Sequence, residues 1–176
     1  MNIDSSRIVL QPVQVTFLEM HERPVNTTPA AFNMHFELLP KPVEVSEYRS
    51  YYYGVGKQWY WLDRMVMDDA LLYAKINAPN VDIFVLYIED QTAGFAEFVR
   101  EKEYVEILYF GLLPGFIGKG YGNYFLQTVI QQAWDYAPQH IQLNTCTLDH
   151  PNALSIYKKA GFQQVRTSTE ERRILK

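Results

Sequence analysis

The stretch from Glu106 to Gly122, EILYFGLLPGFIGKGYG, holds the residue types whose spacing best suits chemistry. An apolar run ends at Pro114, four glycines follow within eight residues, and Tyr121 onward carries a helical pattern. That order describes a buried strand, a glycine-rich turn and a helix N-terminus. Glycines let successive backbone N–H groups converge with no side chain between them, and the first helical turn adds unpaired donors and the positive end of the macrodipole. Such a turn suits phosphate binding. The alternative is a tight structural turn, but four glycines are costly unless their freedom or bareness is used. It is not a P-loop, because no Gly-Lys-Ser/Thr follows, and the full Gly-x-Gly-x-x-Gly fingerprint is absent.

Other reactive residue types are scattered. Glu106 is a lone charge in a strand, which places it at a cleft or on a wet face. Cys146 invites a covalent acyl-cysteine route with His140, His150 or a remote carboxylate as helper, but a single cysteine in an apolar strand reads better as a small buried hydrophobe. Asp149 and His150 are adjacent and available to a substrate, yet adjacency does not make a dyad. His21, His35, His140 and His150 have no recognised ligand spacing, so no metal site is expected. By composition alone Tyr157 is a packing residue of a short helix.

The elements that must position these residues follow from periodicity. Ile8 to Met20 reads as extended, with Pro12 arguing for an edge or an interruption. Glu22 to Pro42 is irregular, with a short strand expected over Phe32 to Leu38, and Val43 to Val55 is expected to be a short helix running into Gly54 and Gly56. The aromatic cluster Tyr51 to Tyr53 and Trp59 to Trp61 is either a ligand wall or a packing face. Asp68 and Asp69 cap a helix through Ile76. Val81 to Ile88 and Ala93 to Arg100 form a hairpin around a turn at Glu89 to Thr92, and Tyr104 to Leu112 is a third strand. Alternation in that strand sets Tyr104, Glu106, Leu108 and Phe110 against Val105, Ile107, Tyr109 and Leu112, with a bulge allowing the last phase shift. A helix over Tyr121 to Ala137 buries Phe125, Leu126, Val129, Ile130 and Ala133. Ile141 to Leu148 is a strand, Ala153 to Ala160 a helix stopped at Gly161, Phe162 to Thr169 a strand and Glu170 to Lys176 a charged tail. The alternation of elements implies an α/β architecture with a mixed sheet.

The chain of 176 residues, nearly half of them apolar, suits one domain over residues 1–176. A net charge of -4 from 16 basic and 20 acidic residues, without long runs of either sign, argues against a nonspecific nucleic-acid surface while leaving room for a local basic patch, so no nucleic-acid partner is expected. One cysteine excludes an internal disulfide and fits a reducing compartment. The first twenty residues lack the apolar core of a secretory signal and no run approaches a membrane span, so a cytoplasmic protein with no membrane partner is expected.

Two motifs carry a resemblance. GKGYG, Gly118 to Gly122, lies between a strand and a helix, and NALSIYKKAGF, Asn152 to Phe162, lies about 30 residues on. Together they resemble the GCN5-related N-acetyltransferase (GNAT) family, which moves an acetyl group from acetyl-CoA to an amine. The resemblance covers roughly Val81 to Val165. It implies a GNAT-like acyl-CoA N-acyltransferase fold, mostly antiparallel and flanked by helices. It also implies that Tyr104 to Leu112 and Ile141 to Leu148 splay into a slot for the pantetheine arm. Phe110, Gly111 and Leu112 then run beside that arm, and Ile117, Gly118, Lys119, Gly120, Tyr121 and Gly122 take the pyrophosphate. Ile117 departs from the family, which usually has Gln or Arg there, so the loop relies on backbone amides, with Lys119 a partial substitute. Asn152 caps its helix and reaches the cofactor's amide region.

The resemblance implies roles as well. Tyr157 matches a tyrosine near the CoA sulfur and is the expected general acid. Glu106 matches the glutamate of the histone-acetylating branch and is the expected base, with Glu97 second and Glu103 third. The expected acceptor is a small amine, with Tyr51 to Tyr53 and Trp59 to Trp61 as pocket wall and Asp63 or Asp68 attracting the cation. A noncatalytic acyl-CoA sensor is the rival reading, and a homodimer is compatible with the sequence.

Overall fold

The computed structural model describes residue 3, residues 5–25 and residues 33–176. Among the described residues seven strands form one sheet in the order β2-β3-β4-β5-β6-β1-β7. They are β1 (Ile8–Met20), β2 (Met34–Leu38), β3 (Val81–Ile88), β4 (Gln91–Arg100), β5 (Tyr104–Leu112), β6 (His140–Cys146) and β7 (Gln163–Leu175). All described pairings are antiparallel except β5 with β6. On one face lie α1 (Val45–Gly56), α2 (Asp63–Val66) and α3 (Asp69–Ile76), whose core joins Tyr48, Tyr52, Leu72 and Ile76 to Val85 and Phe95. On the other lie α4 (Tyr121–Asp135) and α5 (Ala153–Lys159), where Phe125, Leu126, Val129, Ile130 and Ala133 are buried against the sheet, as the 3.6-residue stripe predicts. Among the described residues no helix is long and apolar enough to cross a membrane.

Several expectations shift. β1 is continuous and runs between β6 and β7, but its pairing with β6 covers only Val15 to Met20, so at Pro12 only β7 flanks it and the proline stands on a locally free edge, as expected. The expected charged tail is the second half of β7, whose Thr169 to Leu175 pairs with Ile8 to Gln14. An edge strand tolerates charge on its solvent side, so its composition hid its extended form. The hairpin turn is tighter than expected. Glu89 and Asp90 alone form it with φ 50° and 62°, the two left-handed residues that match the twist of flanking strands. The first residue of the expected strand over Phe32 to Leu38 lies outside the described residues, and β2 begins at Met34.

One correction bears on the site. The bulge in the β4–β5 ladder falls between Glu97 and Phe98, opposite Ile107 to Tyr109, instead of at the end of β5. It changes the phase of β5 early. Phe110 therefore faces α4, its ring 4.8 Å from that of Phe125, while Tyr109 faces α1 beside Tyr52 and Trp61. Glu106 shares the Tyr109 face, since its partner Val99 packs with the α1 core. Phe110 and Glu106, expected on one face, are on opposite faces.

Candidate active site

Strands β5 and β6 pair with each other only over Tyr104 to Glu106 with His140 to Gln142; beyond that point β5 stays paired with β4 and β6 with β1, but not with one another. The parting strands leave a cavity of about 440 Å³. One wall is β5 from Ile107 to Leu112, and the opposite wall is Leu143 and Asn144 of β6 with Ala153, Ile156, Tyr157 and Ala160 of the α5 segment. The glycine turn and the start of α4 close one side, through Ile117, Gly118, Gly122 and Asn123. Val55, Trp59, Trp61 and Tyr109 form an aromatic end on the α1 side.

The turn has the backbone that its glycines foretold. Gly118 and Gly120 have φ 78° and 86°, left-handed values that favour glycine, and Gly120 is the N-cap position of α4 with no side chain capping it. A Cβ placed on Gly115, Gly118, Gly120 or Gly122 meets no protein atom within 4 Å. Gly122 needs neither a left-handed φ nor close packing, so its bareness is space beside the cavity. Gly111 differs, since its Cβ would stand 2.5 Å from Val55 Cγ1, and glycine there lets α1 approach β5.

The expected site residues divide into two groups. Phe110, Gly111, Leu112, Ile117, Gly118, Gly122 and Tyr157 all line the cavity, whereas Lys119, Gly120, Tyr121, Asn152 and Glu106 do not. Lys119 holds its ammonium 5.6 Å above the Phe116 ring, and Tyr121 packs beside that ring. Asn152 occupies the N-cap position of α5, but its side chain makes no capping bond; its carbonyl accepts from Ser155 Oγ at 3.0 Å. Glu106 sits at the last paired register, one residue before the cavity wall begins. Its carboxyl is pushed up by burial, then by the charges of Glu101 and Glu97. Tyr157 packs edge-on against Phe162, and burial followed by the Asp149 charge holds its phenol well above the usual range.

The second-choice base is sealed. Glu97 is fully buried, accepts a hydrogen bond from Tyr48 Oη at 2.5 Å, and pairs with Arg64 Nη2 at 3.1 Å. Burial raises its carboxyl although Arg64 and Tyr48 oppose the shift. Arg64 in turn lies 5.6 Å from the centre of the Tyr109 ring, and Trp61 packs 5.1 Å from Tyr109. The ion pair therefore braces the aromatic end of the cavity from behind. Asp63 and Asp68 are committed elsewhere: Asp63 pairs with Arg173, and Asp68 caps α3 through the Ala70 and Leu71 amides. Of the tyrosine run, Tyr52 is buried core, while Trp59 and Trp61 reach the cavity.

Cys146 is half-buried outside the cavity, and burial and then Asp149 push its thiol up, away from the thiolate that a nucleophile needs. Asp149 organises the β6–α5 turn by accepting from Thr145 Oγ1 and the Cys146 amide, each at 2.8 Å. His150 lines the cavity, accepts from the Asn152 amide at 3.1 Å and packs edge-on to Trp59. Sequence reasoning missed Asn123, Gln127 and Asn144 as lining residues. Asn123 and Gln127 sit four apart beside the apolar stripe of α4, a spacing that marks one helix face.

A family model for an acetyltransferase (GNAT) domain matches residues 58–175. No curated protein matches the sequence. Among solved structures, a conserved protein of Staphylococcus epidermidis is 16% identical with a TM-score of 0.57, over 95% of this chain and 62% of that one. A GNAT-family acetyltransferase from Novosphingobium aromaticivorans is 14% identical, TM-score 0.61, over 97% and 68%. An acetyltransferase of Bacillus subtilis in complex with CoA is 17% identical, TM-score 0.56, over 74% and 77%. At these identities the likeness is one of fold, and this chain spans less than two thirds of the length of the Staphylococcus protein.

Proposed function

Because the chain belongs to the GNAT acetyltransferase family, we propose that it transfers an acetyl group from acetyl-CoA to the primary amine of a small molecule, directly within a ternary complex. The observation that carries the reading is one continuous cavity between parted strands, with a bare glycine turn at its side and an aromatic wall at its end. Acetyl-CoA supplies the activated thioester. The backbone amides of Gly118 to Gly122 would hold its pyrophosphate, and β5 from Phe110 to Leu112, left unpaired toward β6, would run beside its arm.

Glu106 takes the proton of the acceptor ammonium. An alkyl amine is protonated near neutral pH and attacks only after losing that proton, and a carboxyl raised by burial is a better acceptor than an exposed one. Tyr157 keeps its proton at neutral pH, because burial and Asp149 disfavour the phenolate, so it can donate Oη–H to a departing thiolate. Val55, Trp59, Trp61 and Tyr109 bound the acceptor space, which supports a small amine over a folded protein.

The test is CoA release and product formation across a panel of amines and lysine-bearing peptides. Turnover that falls by about 10²-fold or more in Glu106→Gln and in Tyr157→Phe, with acetyl-CoA affinity retained, supports the assignment. Acetyl-CoA binding without product from any panel member favours the sensor reading, and an undiminished rate in Glu106→Gln removes that residue as base.

A further inference from the structure

Glu106 stands in a ladder of polar side chains, most of them titratable, that leads away from the cavity. It pairs with Gln142, and Gln142 pairs with Glu19, so the three form one row across β5, β6 and β1. In the row beyond, Tyr104 pairs with His140. Their rings stack at 5.5 Å and 28°, and His21 stacks on His140 at 5.1 Å and 25°. On the cavity side of Glu106, Asn144 pairs with Phe17 and lines the cavity itself. Strand alternation puts Asn144, Gln142 and His140 on one face, while Ile141 and Leu143 are buried on the other. The Glu19 carboxylate lies 2.9 Å from His21 Nε2 and 4.0 Å from His140 Nε2. Side-chain exposure increases outward, from 18% at His140 and 27% at Glu19 to 58% at His21.

We propose that this ladder carries to solvent the proton that Glu106 takes from the acceptor amine, with His140 as the relay and Glu19 as its positioning residue. The inference rests on the reading of Glu106 as base. The O–H bond of protonated Glu106 breaks, an N–H bond forms on neutral His140, and the carboxylate is regenerated for the next turnover. The imidazolium, steadied by the Glu19 carboxylate beside it, then gives its N–H proton to bulk water at the partly exposed end of the ladder. Glu106 and His140 are diagonal neighbours on adjacent strands, about 8 Å apart from a strand spacing of about 4.8 Å and a rise of about 3.3 Å per residue. The relay therefore calls for one bridging water between the two side chains. The groups facing His140 are Glu19 and His21 from the β1 side, and Tyr104 and Glu106 from β5, with Glu101 acting on both of the latter. Glu97 offers no competing exit, since Tyr48 and Arg64 occupy its two oxygens.

Two measurements test the relay. In the ligand-free protein, a histidine-ring NMR titration of His140 is expected to show a second inflection from Glu106 that disappears in Glu106→Gln; one inflection, identical in both proteins, overturns the proposal. CoA release from acetyl-CoA is then followed with 2-phenylethylamine, and with water alone, as acceptor. His140→Gln is expected to lower kcat about tenfold at unchanged KM for acetyl-CoA, with millimolar imidazole restoring most of it, and Glu19→Gln to lower kcat about threefold. Wild-type kcat in both variants beside an inactive Glu106→Gln overturns the relay alone. A loss that imidazole does not relieve also overturns it, because a merely structural ladder behaves that way. A Glu106→Gln protein with wild-type kcat overturns the base reading beneath it. Should His140→Gln fail to fold, Glu19→Gln and the titration of the unaltered His140 decide the matter.

Discussion

Gly122→Ala separates a ligand cradle from a structural turn, because the two readings demand opposite outcomes. Gly122 lies in the first turn of α4 with an ordinary helical φ, and a Cβ added there meets no protein atom within 4 Å. The methyl group therefore costs the folded protein nothing by contact, while alanine's helix preference contributes about 0.5–1 kcal/mol. For a domain of this size that raises Tm by about 1–4 °C. The space that the methyl enters borders the cavity, where the pyrophosphate must approach the amides. Acetyl-CoA affinity is thus expected to fall by about tenfold, or about 1.4 kcal/mol. Thermal unfolding with and without acetyl-CoA, together with calorimetric Kd values, reads both effects on one sample. The control is Gly111→Ala, whose methyl would stand 2.5 Å from Val55 Cγ1. That variant is expected to lose about 1–3 kcal/mol of stability through overpacking. A stabilised Gly122→Ala with undiminished acetyl-CoA affinity would refute the cradle.

Arg64→Met leaves the fully buried Glu97 without its cation and is expected to cost about 3–5 kcal/mol in urea unfolding. Combining it with Glu97→Leu should recover most of that loss, and strict additivity of the two changes would show that the pair is not coupled. The pH dependence has a definite sign. Glu106 holds its proton above the ordinary value of 4.5 in the folded chain, so its contribution to stability is complete below that pH and is lost as pH rises through the folded pKa. Unfolding free energies measured from pH 4 upward should therefore show wild type losing ground to Glu106→Gln; a wild-type advantage that grows with pH would mean a depressed carboxyl instead.

Local chemistry is what the sequence determined by itself. Helix α3 with its Asp68 cap, strands β3 and β5, and the stripe of α4 are set by periodicity and capping within a few residues, and the glycine turn between β5 and α4 follows from spacing, while which of its glycines take a left-handed φ, Gly118 and Gly120, does not. Long-range pairing decided the rest. Nothing local announces that Ile8 to Met20 inserts between β6 and β7, or that a run as charged as Thr169 to Arg173 becomes a strand, because those hydrogen bonds come from residues more than a hundred positions away. The Asn152 side chain was expected to cap α5 and does not, since capping depends on a rotamer that the motif does not fix. The bulge opposite Ile107 to Tyr109 likewise belongs to two strands at once, and it alone turns Tyr109 toward Trp61 and Phe110 toward Phe125. Glu106 was visible as an odd charge in a strand; that it stands where β5 and β6 part, in one row with Gln142 and Glu19, is a fact of register, which only the assembled sheet supplies.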